Sequence, residues 1–170
     1  LTTKDGVEWI MSTAESQATA MAHGYELASG TPAVAFVPGV AIPRTMNMLS
    51  NAYKDNSSLL AYSDGPSGDI PVRDMFQQME AWVEPMIQFT KWRWKVEDAR
   101  HMSEIARRAY KLSVTPPGGP VHIRIPLNVL AQNAKDTVYP QRRFSVQAEM
   151  RPKPELVERT AKALLDAKQP

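Results

Sequence analysis

The apolar positions alternate between a two-residue and a three-to-four-residue spacing along most of the chain, the pattern of strands and helices taken in turn. The segment "VEWIMST" (7–13) predicts a short strand. A helix follows over 15–29, where Ala18, Met21, Ala22, Tyr25 and Ala28 recur at steps of three and four and so share one face. Gly30 stands where a helix commonly stops. "PAVAFVPG" (32–39) predicts a second strand running into a Pro-Gly turn, 44–54 a second helix, and "SLLAYSD" (58–64) a third strand. Beyond the loop "GPSGD", residues 72–83 form a short helix that ends before Pro85. "IQFTKWRWKV" (87–96) alternates as a strand, and 98–114 is a helix with Asp98 as its N-cap. "TPPGGP" breaks the chain before a last strand, "VHIRIP" (121–126). Strands and helices in alternation, with short connections, predict an α/β fold: a parallel sheet flanked by helices on both faces. Residues 132–153 are polar, aperiodic and proline-containing, a linker by composition. The amphipathic helix in 154–170 would then open another domain.

Composition narrows the function classes. The 170 residues, 43% apolar, suffice for one core and the start of a second domain. Twenty basic against eighteen acidic residues leave a formal charge of +2, too balanced to predict a nucleic-acid partner. No cysteine is present, which removes disulfides and thiol catalysis and suits a reducing, cytoplasmic setting. No apolar run predicts a membrane span.

Candidate chemistry is sparse. Glu15 stands alone where an apolar segment meets an alanine-rich helix, either as a helix-terminal acid or as a working group. His23 is eight residues away, ~12 Å along a shared helix, so no Glu–His dyad forms. His23, His101 and His122 have no spacing for a nucleophilic triad or a metal, and the methionines, among them Met46, Met48, Met75 and Met79, read as core packing. The turns "VPGVAIP" and "GPSGD" follow strands, where open α/β sheets bind ligands, but neither carries a nucleotide-binding fingerprint. A generic nucleotide-binding domain is therefore disfavoured.

Four blocks taken in order carry a more specific signal. "AESQATAMAHGYELASGTPAVAFV", "MLSNAYKDNSSLLAYSD", "DMFQQMEAWVEPMIQFTKWRWKV" and "PPGGPVHIRIPLNVL" together resemble the N-terminal, pyrimidine-binding domain of thiamine diphosphate enzymes of the acetolactate synthase, benzoylformate decarboxylase and pyruvate oxidase group. The likeness covers residues 7–130, and the tail from Arg151 resembles the first helix of that group's middle domain. It implies a pyrimidine-binding domain over 1–131 that lacks the group's first strand and helix, and hence a piece of a larger enzyme.

The resemblance implies roles as well. Glu15 matches the acid that hydrogen-bonds N1′ of the cofactor's aminopyrimidine, sharing a proton with the ring because burial disfavours its charged form. Pro38 and Gly39 match a loop that shapes the cofactor pocket, although "VPGVAIPRTMN" lacks the asparagine usual there, and Ala14 stands where many relatives carry histidine. Gln77 matches a glutamine near the thiazolium or substrate, with Phe76 in the same wall. The cofactors implied are thiamine diphosphate and Mg2+, the metal being held in a separate domain. The partners implied are the diphosphate-binding domain of a neighbouring subunit, in a homodimer or homotetramer, and a small 2-oxo acid that is decarboxylated or ligated. The alternative is a non-catalytic interaction subunit that keeps the fold. The isolated chain is expected to bind the cofactor weakly or not at all.

Overall fold

A computed structural model describes residues 6–68, 83–144 and 151–169. In chain order the regular elements are α1 (Glu15–Ser29), β1 (Ala33–Val37), α2 (Ile42–Lys54), β2 (Leu59–Gly65), β3 (Trp92–Lys95), α3 (Met102–Val114), β4 (Val121–Pro126), α4 (Leu127–Leu130) and α5 (Pro154–Asp166). The strands form one parallel sheet in the order β1-β2-β4-β3.

Alternation along β2 divides the core between the two faces of this sheet. Leu59 and Ala61 join Ala35 of β1 with Ala22 of α1 and Ile42 and Leu49 of α2. Leu60 and Tyr62 point the other way, to Val121, Ile123 and Ile125 of β4 and Ala109 of α3. Successive side chains of a strand leave on opposite faces, so a strand apolar at every position belongs in a sheet covered on both sides. The predicted fold class is the observed one.

Local signals hold at several boundaries. Gly30 closes α1 in the left-handed region at φ 67°, its amide donating to the Glu26 carbonyl. Asp98 caps the turn that leads into α3, accepting from the Arg100 amide at 2.8 Å. Lys91 reaches from the head of β3 to the other end of α3, where its ammonium donates to the carbonyls of Leu112, Thr115 and Pro117 at 2.7, 2.6 and 2.5 Å. Leu112 stands in the last turn of α3, where the intrahelical ladder leaves carbonyls without partners, and Thr115 and Pro117 follow in the connection beyond it.

Three expectations are corrected. Residues 7–13 do not form a strand: Val7 makes a single bridge, and Val7, Trp9, Ile10 and Met11 are 52, 45, 66 and 77% exposed. Period-2 alternation needs a paired neighbour to become a strand, and this segment instead rests the Trp9 ring near Phe36 at 6.1 Å. The strand expected over 87–96 is confined to Trp92–Lys95, because Thr90 turns its hydroxyl back to the Met86 carbonyl at 2.6 Å and closes a turn. Helix α1 buries Thr19, Ala22 and His23, whereas Met21 and Tyr25 of the expected face stay exposed. Alanines surround this helix, so its sequence selects no single face, and the sheet decides.

The stretch expected as a linker runs along α3 as far as it is described. Gln132 accepts from the Ala99 amide at 2.9 Å, Asp136 from the Ser103 amide at 2.7 Å, and the Arg107 guanidinium lies 3.9 Å from the Phe144 ring centre. Helix α5 is exposed over its whole length. Among the described residues no helix is long and apolar enough to cross a membrane. The helix expected at 72–83 lies outside the described residues.

Candidate functional site

Two helices begin at neighbouring points, and each brings one charged side chain. Ala14 is extended at φ −152° and offers no side chain to cap α1, so Glu15 is its first helical residue. An acid there is favoured by the helix dipole. The Glu15 carboxylate caps nothing; its Oε2 lies 3.4 Å from Nη1 of Arg44, a residue 29 positions further on. Arg44 belongs to the first turn of α2, which carries no acid of its own. The Glu15 side chain is 25% exposed and that of Arg44 73%. At 3.4 Å the contact is long for a charge-assisted hydrogen bond and amounts to a loose ion pair.

The Pro38-Gly39 turn joins β1 to α2. Pro38 leaves the sheet, Gly39–Ala41 makes one 3-10 turn, and the Ala41 amide donates to the Pro38 carbonyl at 2.9 Å. Buried Gly39 donates its amide to Oδ1 of Asp64 at 2.6 Å. That acid stands near the end of β2, so the turn is tied to the neighbouring strand and the Gly39 amide already has a partner. An open cleft of about 330 Å3 lies beside this turn, lined by Phe36, Val37, Pro38, Ser63, Asp64, Ile125 and Leu130. It sits at the C-terminal ends of β1, β2 and β4, the edge where open parallel sheets bind ligands. Glu15 is not among its lining residues.

One layer below, Ser63 Oγ and His122 Nε2 lie 2.8 Å apart, both residues buried. Burial, reinforced by the charge of nearby Arg124, holds the His122 imidazole down at about 4. It is a neutral ring at ordinary pH, bound into the sheet. His23 is buried in α1 with Nε2 3.3 Å from an Asp55 carboxylate oxygen, and His101 is exposed. Of the methionines expected in the core, Met46 packs against the α1–α2 side and Met48 is half-buried; Met75 and Met79 lie outside the described residues. Phe76 and Gln77 also lie outside them. Among the described residues no three His, Asp or Glu side chains come together as metal ligands.

Arg44 and Asp64 escaped the reading of the sequence. Asp64 had a signal, an acid at the end of an apolar strand. Arg44 had a fainter one, a cation in the first turn of a helix, where the dipole disfavours it.

The comparisons with known proteins agree with this architecture. The family described as thiamine pyrophosphate enzyme, N-terminal TPP binding domain, matches residues 1–82. The chain is thus similar to thiamine diphosphate enzymes over the first 82 of its 170 residues. It is 29% identical over 127 residues to the acetolactate synthase large subunit of Lactococcus lactis, an alignment covering 74% of this chain and 22% of that relative. The chain thus spans about a fifth of that curated relative's length. Among solved structures, a Mycobacterium smegmatis protein described as thiamin diphosphate-dependent superposes with a TM-score of 0.71 at 26% identity, covering 92% of this chain and 30% of that one. Benzoylformate decarboxylase from Polynucleobacter necessarius gives 0.75 at 18% identity, with coverages of 91% and 29%, a likeness of fold. At the head of α1 this chain presents an acid, Glu15, beside Arg44 of α2.

Proposed function

We propose that this chain supplies the cofactor-activating acid, Glu15, of a thiamine diphosphate-dependent enzyme that decarboxylates or ligates 2-oxo acids. The observation that carries the reading is the state of the Glu15 carboxylate: first turn of α1, 25% exposed and, among the described residues, held by one long contact to Arg44. A side chain so placed can turn to meet a ring nitrogen at little cost. When bound, thiamine diphosphate supplies the nucleophilic carbon and the electron sink that cleavage beside a carbonyl requires. Glu15 would hold a proton at N1′ of the aminopyrimidine.

Pro38 and Gly39, fixed by Asp64, form a wall of the cofactor pocket. Contact with the thiazolium and substrate is the role that the family resemblance gives Gln77 and Phe76. Mg2+ and the diphosphate belong to a diphosphate-binding domain of a neighbouring subunit, so the working form is a homodimer or homotetramer, in the cytoplasm. The single chain is not active by itself.

Replacing Glu15 by Gln in the assembled protein tests the assignment. The amide keeps the size but cannot carry the proton, so turnover of 2-oxo acids should fall by roughly 100-fold or more, the scale of a lost general acid–base group. The circular dichroism spectrum should stay the same. Undiminished turnover in Glu15→Gln would sink the catalytic role and favour the interaction-subunit reading instead.

A further inference from the structure

The pairing of Glu15 with Arg44 has no structural explanation in α2 itself. An arginine in the first turn opposes the helix dipole, and nothing acidic within that turn offsets it. Its guanidinium is 73% exposed, so packing does not hold it there either. What it meets is the carboxylate oxygen of a residue on another helix. We propose that Arg44 is a positioning residue for Glu15, a latch that holds the carboxylate in the cofactor-free protein and releases it when the aminopyrimidine ring arrives. This rests on the assignment of Glu15 given above.

The geometry suits a latch better than a permanent partner. A guanidinium fixed on the carboxylate would favour its charged form and oppose sharing a proton with the ring. The 3.4 Å separation and the exposed guanidinium make the contact easy to open. Arg44 therefore holds the Glu15 side chain before binding, and its release is one step of cofactor docking.

Docking must then break an exposed ion pair, whose strength sets the size of the effect. Removing Arg44 should tighten the binding of thiamine diphosphate by roughly 2- to 5-fold. The test is calorimetric titration of thiamine diphosphate, with magnesium present, into the cofactor-stripped assembled protein. Arg44→Ala and Arg44→Gln should both bind more tightly than wild type, whereas Arg44→Lys should restore the wild-type affinity. Near 1 M salt, where screening acts within about 3 Å, the difference between wild type and Arg44→Ala should vanish.

In a Glu15→Gln background, removing Arg44 should change nothing, because the charge it meets is gone. Weaker binding by Arg44→Ala would overturn the latch and make the guanidinium part of the cofactor's hold. Affinity unchanged in Arg44→Ala, or tightened equally with Glu15→Gln present, would overturn it too. In each of these cases the wild-type protein still binds cofactor, so the assignment of Glu15 survives. Absence of binding by wild type and all variants would overturn both.

Discussion

Lowering the pH should destabilise the fold through one buried ring, His122. Its imidazole is buried in β4 with Nε2 2.8 Å from the Ser63 hydroxyl of β2, and among the described residues Nδ1 has no hydrogen-bond partner. Burial first, and then the charge of Arg124, lower its pKa from 6.5 to about 4. In the unfolded chain the ring takes up its proton near 6.5, so between these values the unfolded state binds more protons. Stability therefore rises with pH across that window, is fully present above 6.5, and is lost as pH falls towards 4. A separation of this size corresponds to roughly 3 kcal/mol in total. That is a large share of the 5–15 kcal/mol typical of a domain.

The assay is urea denaturation at a series of pH values, with His122→Leu as the comparison. The variant leaves the Ser63 hydroxyl without its partner, so above pH 6.5 its curve should lie lower by ~1–3 kcal/mol, a gap that closes as pH falls towards 4. Its slope below pH 6.5 should accordingly be shallower than that of wild type by up to one proton. Subtracting the two curves removes the carboxylates that titrate in both. Parallel curves between pH 4 and 6.5 would refute the reasoning, as would an NMR titration placing the His122 ring near its ordinary value.

Two further outcomes are expected. Replacing Lys91 by Met should cost about 1–3 kcal/mol in urea denaturation, because three carbonyl oxygens at the end of α3 lose a charged donor at once; an unchanged midpoint would mean that water replaces the ammonium. Replacing Asp64 by Ala should release the Pro38-Gly39 turn, seen as faster amide exchange at Gly39 and a loss of ~1–2 kcal/mol, and exchange as slow as in wild type would mean the turn is held by other contacts.

The parts of the fold legible in the sequence are those written in adjacent residues. Gly30 has no side chain to resist the left-handed turn that ends α1, and Asp98 carries the short acceptor that the turn before α3 needs. The alternation of strands and helices with short connections declared a parallel sheet covered on both faces before any pairing was known. The ordered blocks around "AESQATAM" and "DMFQQME" carried the likeness to thiamine diphosphate enzymes that the comparisons also find. Asp64 was half-legible: an acid after "LLAYS" marks a strand end, but that it holds the Gly39 amide depends on β1 and β2 lying side by side.

What the sequence determined by itself was most of the succession of helices and strands, because caps, turn residues and periodicity act within a few residues of themselves, and the likeness to thiamine diphosphate enzymes. Tertiary structure decided which face of α1 is buried, since alanines around the helix give no preferred side and only contact with the sheet selects Thr19, Ala22 and His23. It also left 7–13 outside the ladder, laid 132–144 along α3, and set Arg44 against Glu15. These are choices of partner rather than of backbone shape, and a chain acquires partners 29 residues away only when packing brings its helix ends together.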